Sequence, residues 1–301
     1  MPNPFRYQVA TTLLMLTSLW GCATHSGAPE TTPDHSHTDF RVLTDIAYTP
    51  ADWPQALYTD LYLPETSGKS PAVLLVHGGG WERRSRKDME WIAKDLASRG
   101  FAVMNIDYRF APEYTFPAQL HDVQVAMRWL HDHSSEYGLA RSAISAFGFS
   151  SGAHLVSLMA LVASSDSPLN APYGGDTSRP SAVVAGGIPA DLQAFDSGKL
   201  IRQFLGGEQQ DIPDIYQQAS PVTHVTPSAP PFFLFHGGMD MLVPFSQAER
   251  LHEALNENNV DNELYRMHLR GHLTSFLTAG RAVERAADFL RRHNPSSAGG
   301  S

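Results

Sequence analysis

The sequence predicts a doubly wound α/β domain, a mostly parallel sheet of about eight strands flanked by helices. Three observations carry this expectation. Short apolar runs of strand length, at residues 71–76, 101–106 and 232–235, alternate with stretches of helical spacing. The run at 71–76 is continuously apolar rather than alternating, the mark of a strand buried on both faces. Residues that bear chemistry follow directly on such runs, and open α/β sheets bind ligands at the carboxyl ends of their strands.

Taken in order, the pattern from Phe40 changes to alternating and β-branched residues, and residues 40–48 and 57–63 read as a hairpin at the edge of the sheet. The strand at 71–76 ends in His77-Gly78-Gly79-Gly80-Trp81. Over 86–99, Met89, Ile92, Ala93 and Leu96 fall on one helical stripe, and Gly100 closes it. A buried strand at 101–106 and a helix at 120–130 follow. The next strand, the central one, runs into Gly148-Phe149-Ser150-Ser151-Gly152, and a small-residue helical pattern begins at once. Another strand lies at 181–188. Residues 191–231 are the least regular part, rich in Pro, Gly and Gln. The strand at 232–235 ends in His236-Gly237-Gly238-Met239-Asp240. A helix at 246–257, a strand at 263–269 and an amphipathic helix at 278–292 complete the pattern. No internal repeat and no second domain is visible.

A net charge of −9 argues against a nucleic-acid partner or an anionic membrane surface. Cys22 is the single cysteine, so an intrachain disulfide is excluded. Arg6 precedes an apolar run at 9–20, too short to span a bilayer and suited to a signal peptide. Leu19-Trp20-Gly21-Cys22 then resembles the bacterial lipobox, cleaved before a lipid-modified cysteine. The expected organisation is a lipoprotein signal peptide at 1–21, a flexible tether at 22–39, a catalytic domain at 40–294 and a disordered tail at 295–301. An ordinary secretory signal is the alternative. The tether reading rests on Ser, Thr, Pro and His with almost nothing apolar, and Asp34, His35 and His37 read as solvated linker residues.

The stretch around Ser150 has the form of a nucleophile elbow, Gly-x-Ser-x-Gly between a strand and a helix. A serine hydroxyl is a weak nucleophile until a base takes its proton, and the base needs a third group to fix its tautomer. Donors are also needed for the oxyanion. Gly79, Gly80 and the N–H of Ser151 are the candidates. His77 is expected to hold the glycine loop, with Trp81 packed beside it. Asp240 is the expected acid, and Asp191, after the preceding strand, is its competitor. Of the fourteen histidines only a few follow Asp240. His252 falls in a helix, His268 in a strand and His293 near the terminus, which leaves His272, in a loop after Gly271, as the expected base.

Along nearly all of its mature length the chain resembles the hormone-sensitive-lipase-like esterases of the α/β-hydrolase fold. It is most similar to the bacterial branch that includes feruloyl and acetyl-xylan esterases. The matching residues are His77 to Trp81, Asp107-Tyr108-Arg109-Phe110-Ala111-Pro112-Glu113 with Phe116-Pro117-Ala118, and the elbow with Ala153-His154-Leu155. Ala219-Ser220-Pro221, Pro230-Pro231, His236-Gly237-x-x-Asp240-x-x-Val243-Pro244 and Gly271-His272 match as well. Carried over by position, the resemblance implies Ser150, Asp240 and His272 as a triad, with Gly79 and Gly80 in the oxyanion loop. Ser151 stands where the family more often has Ala, Ala153 where it more often has Gly, and Leu273 to Phe276 replace the usual Gly or Ala start.

The resulting expectation is a serine hydrolase of short-chain carboxylic esters, working through an acyl-enzyme with no metal or organic cofactor. Its partners are a small-molecule ester substrate and a membrane, reached through lipid on Cys22 in a bacterial envelope. An amidase, arylformamidase or exopeptidase using the same triad is the alternative, and a non-catalytic envelope binding lipoprotein a more remote one. Substrate pockets are expected from residues 81–86, Phe149, residues 191–231 and residues 239–242.

Overall fold

The structure is a computed structural model that describes residues 23–27, 37–195 and 198–294. The expected signal peptide, Cys22 and the tail at 295–301 lie outside the described residues.

Nine strands form one sheet: β1 (Ala23–Ser26), β2 (Phe40–Ala47), β3 (Tyr58–Pro64), β4 (Ser70–Val76), β5 (Ala102–Ile106), β6 (Leu139–Phe149), β7 (Val183–Gly186), β8 (Phe232–Gly237) and β9 (Asn262–Met267). Their order is β1-β9-β8-β7-β6-β4-β5-β3-β2. The strands from β9 to β5 run parallel, and β2, β3 and β1 join antiparallel at the two edges.

The helices are α1 (Glu90–Ser98), α2 (Ala118–Asp132), α3 (Ser151–Val162), α4 (Lys199–Leu205), α5 (Pro213–Gln218), α6 (Ser246–Glu257), α7 (His272–Leu277) and α8 (Gly280–His293). Side chains alternate across a strand, so each inner strand feeds two cores. Leu74, Met104, Ala146 and Leu234 pack with Val123 of α2, Leu158 of α3 and Leu251 of α6. Val73, Leu75, Phe147 and Phe235 pack on the other face with Ile92 and Leu96 of α1 and Val283 and Phe289 of α8. This explains the continuous apolar runs in the sequence.

Two expectations need correction. Residues 23–26 are not tether: Ala23 pairs with Met267 and Ser26 with Leu264, which closes the β9 edge. Backbone pairing with β9 and the contacts of His25, rather than apolar composition, hold this largely exposed strand there. His25 packs edge-on against Phe233 and Tyr265 at 5.5 and 5.4 Å, and its Nε2 lies 2.7 Å from Glu263 Oε2. His272 is also not in a loop, because it opens α7. The Gly271 N–H donates to Thr274 Oγ1 at 2.8 Å, and the Ser275 N–H to the Gly271 carbonyl at 2.8 Å. The first bond satisfies an otherwise unpaired donor at the helix start and the second is the first i to i−4 bond of the helix, in a stretch too short to show a helical period.

Candidate active site

Ser150 stands between the end of β6 and the start of α3 with φ 55° and ψ −123°. A non-glycine residue in that region is strained by about 1–3 kcal/mol and needs its surroundings to hold it. Here the Ser150 N–H donates to the Gly186 carbonyl at 2.7 Å, and the Ser150 carbonyl accepts from the His154 N–H at 3.0 Å. Glycines on either side are demanded by the closeness of the crossing. A methyl group on Gly152 would lie 2.2 Å from the Val76 carbonyl oxygen, and one on Gly148 would lie 2.3 Å from the Gly152 backbone.

The structure brings the expected serine, histidine and aspartate together. His272 Nε2 is 2.9 Å from Ser150 Oγ, and His272 Nδ1 is 2.7 Å from Asp240 Oδ2. With Nδ1 protonated toward the carboxylate, Nε2 is left to accept the serine proton. Gly187, at the end of β7, lets the imidazole come close; a methyl there would stand 3.1 Å from His272 Cε1. Asp191, the competing acid, is elsewhere. Its Oδ1 accepts from the Gln193 N–H, and Arg250 pairs with its Oδ2.

The Asp240 carboxylate is fully buried. Burial alone would raise its pKa, yet it is held below the usual carboxylate range by His236, His272 and the Val243 N–H. Oδ1 accepts from the N–H groups of Leu242 and Val243 at 3.0 and 2.9 Å. The buried His236 ring donates from Nε2 to the Val243 carbonyl at 2.8 Å and lies 3.4 Å from Asp240 Oδ2. The flanking Met239, Met241 and Leu242 turn outward and stand exposed, so they do not bury the acid.

The glycine loop leaves β4 beside the nucleophile: a methyl on Gly78 would lie 3.1 Å from Ser150 Cβ. Gly79 and Gly80 take φ values of 126° and 64°. The N–H groups of Gly79, Gly80 and Ser151 find no acceptor among the described residues, the state expected of donors reserved for a ligand. His77 is buried beneath this loop. Its Nδ1 lies 2.6 Å from the Gly78 carbonyl and its ring stacks on Tyr108 at 4.5 Å. The Tyr108 hydroxyl in turn donates to the His77 carbonyl and sits 3.2 Å from Ser151 Oγ.

Sequence reasoning assigned no role to His154, Gly187 or His236. His154 is joined to Trp81, a contact spanning 73 positions of sequence that no local pattern reveals. His236 carried a readable signal, since it precedes Asp240 by four positions on a strand end.

Residues 59–255 match the BD-FAE family. The chain belongs to the BD-FAE family. The matching span runs from β3 to α6 and includes Ser150 and Asp240, while His272 follows it. Esterase LipC of Mycobacterium tuberculosis is 31% identical over 194 residues, covering 62% of this chain and 48% of LipC. The probable carboxylic ester hydrolase LipM of the same organism is 29% identical over 253 residues, covering 80% of this chain and 58% of LipM. This BD-FAE chain thus spans about half the length of these curated relatives. A solved structure of a truncated carbohydrate esterase from gut microbiota superposes with a TM-score of 0.76 at 24% identity. That likeness covers 88% of this chain and 99% of the other, and the shared architecture is the α/β-hydrolase fold.

Proposed function

We propose that the protein hydrolyses carboxylic esters, with Ser150 as nucleophile, His272 as general base and then acid, and Asp240 as the group that orients and stabilises the imidazolium. The observation that carries this reading is the unbroken line of hydrogen bonds from Ser150 Oγ through His272 to Asp240. Ser150 Oγ attacks the ester carbonyl while His272 Nε2 takes its proton. The N–H groups of Gly79, Gly80 and Ser151 receive the oxyanion. His272 returns the proton to the leaving alcohol, and water releases the acid from the acyl-enzyme by the same steps in reverse. The esterase names of LipC and LipM support the reaction class. Short acyl chains are proposed as the preferred substrates.

The same proposal makes Cys22 the site of lipid attachment and the bacterial envelope the location. The support is the Leu19-Trp20-Gly21-Cys22 sequence behind an apolar run.

The test is hydrolysis of p-nitrophenyl acetate, butyrate and octanoate by the parent chain and by Ser150→Ala. Turnover that falls with chain length and disappears in the variant is the expected result. A folded parent with no Ser150-dependent turnover on any of the three overturns the reading.

A further inference from the structure

Contiguous exposed apolar side chains on a protein surface mark a binding face. Met239, Met241, Leu242, Leu269, Leu273 and Leu277 are between 55% and 93% exposed. They lie on three neighbouring pieces: the loop after β8, the turn after β9, and α7. The Gly238 N–H donates to the Met267 carbonyl at 2.8 Å and the Met239 N–H to the Arg270 carbonyl at 2.9 Å, so loop and turn are stitched together. The next turn of chain is α7, on which Leu273 and Leu277 are one helical turn apart and share a face. Asp240 and His272 are carried on the same loop and helix. The apolar residues therefore rim the candidate active site.

A separate observation says what this rim meets. Ala23 pairs with Met267, the last residue of β9, so β1 starts at the end of the sheet that carries the rim. Cys22 is the residue that precedes Ala23 in the sequence. The overall charge of −9 gives no electrostatic route to an anionic surface, which leaves apolar contact.

We propose that this rim is a membrane-docking surface: its methionine and leucine side chains enter the lipid of the bilayer to which the Cys22 end is attached, and the active site opens against that bilayer. The bilayer as occupant rests on the reading of Cys22 as the anchor point. The exposed rim itself does not depend on it.

The test uses the full chain carrying Cys22→Ser and Met241→Cys, whose single thiol is labelled with an environment-sensitive nitrobenzoxadiazole dye. A second chain carries Cys22→Ser and Lys69→Cys, with its label just before β4 at the opposite end of the sheet. On mixing with phosphatidylcholine vesicles, emission at position 241 rises several-fold, shifts to the blue and is quenched by nitroxide-bearing lipid, while position 69 does not respond. Adding Leu273→Ser and Leu277→Ser removes the rise at 241, while the far-ultraviolet circular dichroism of the parent is retained. An absent rise at 241, or an equal rise at 69, overturns the proposal. So does a rise that follows protein concentration without lipid, which assigns the face to a second copy. Incorporation of labelled palmitate into the unsubstituted chain tests Cys22 separately. If none is incorporated, the anchor reading fails, and the dye measurement alone decides the rim.

Discussion

The indole N–H of Trp81 lies 3.3 Å from Nδ1 of the buried His154 and ties the glycine loop to the helix behind Ser150. His154 Nε2 donates in turn to the Ala219 carbonyl at 2.7 Å, and the Trp81 ring stacks on Phe204 at 4.4 Å. Three stretches distant in sequence thus meet on one imidazole.

Trp81→Phe keeps the stacking and removes the donor, leaving Nδ1 of a buried ring without a partner. An unsatisfied buried acceptor costs about 1–3 kcal/mol. The expected outcome is an unfolding free energy lower by that amount, read from urea denaturation, with kcat for p-nitrophenyl acetate falling more than KM rises, because the loop that receives the oxyanion loses its tie. An unchanged kcat would show that the contact serves the fold alone.

Asp240→Asn keeps the acceptor for the Leu242 and Val243 N–H groups but presents an amide to His272. The ring then holds its proton on the wrong nitrogen. Turnover should fall by about 10⁴-fold, as expected when an orienting carboxylate of this kind is lost. The melting temperature should move far less than the rate, which steady-state kinetics and calorimetry on the same preparation will separate.

Two glycine-to-alanine substitutions should have opposite effects. Gly152→Ala forces a methyl to within 2.2 Å of the Val76 carbonyl, where α3 crosses the end of β4. It should destabilise the protein severely or leave it insoluble. At Gly280, the first residue of α8, a methyl meets nothing within 4 Å. Gly280→Ala should therefore stabilise by about 0.4–1 kcal/mol by restricting the unfolded chain. Chemical denaturation of both variants checks the pair.

Burial pushes the pKa of His154 down to about 4, opposed only by its hydrogen bond to the Ala219 carbonyl. Burial also lowers that of His77. Between the ordinary histidine value, about 6.5, and the lowered one, the unfolded chain binds more protons than the folded one. Stability is therefore complete above that ordinary value and drains away as the pH falls toward 4. His154 alone accounts for on the order of 3 kcal/mol of this loss. Urea midpoints should fall steadily on acidification, and less steeply in His154→Gln.

Most of the fold was legible because its signals are local. The apolar runs of β4, β5 and β8 and the stripe of α1 can be seen within a few residues, and so can the turn residues around Ser150. Asp240 and His272 were legible for a different reason: strand ends in a parallel sheet converge, so chain order selected them. The four residues of β1 were not, because what makes Ala23–Ser26 a strand is the open edge of β9 and the His25–Glu263 contact, both remote in sequence. The outward turn of Met239, Met241 and Leu242 was also hidden, since apolar identity alone does not say which way a loop faces. Arg86 is the same kind of case. It is buried in a cluster with Asp45, Asp60 and Asp107 that only the folded sheet assembles.

The place of each partner in the sheet sets how firmly it is kept. Ser150 rises from β6, between β4 and β7, where opening requires the whole molecule to come apart. His272 depends on β9, which only the four-residue β1 separates from the sheet's margin. Edges with few buried contacts open at a lower free energy than centres. A molecule heated toward its limit thus releases the imidazole while the serine still sits on an ordered strand. It is disarmed before it is denatured.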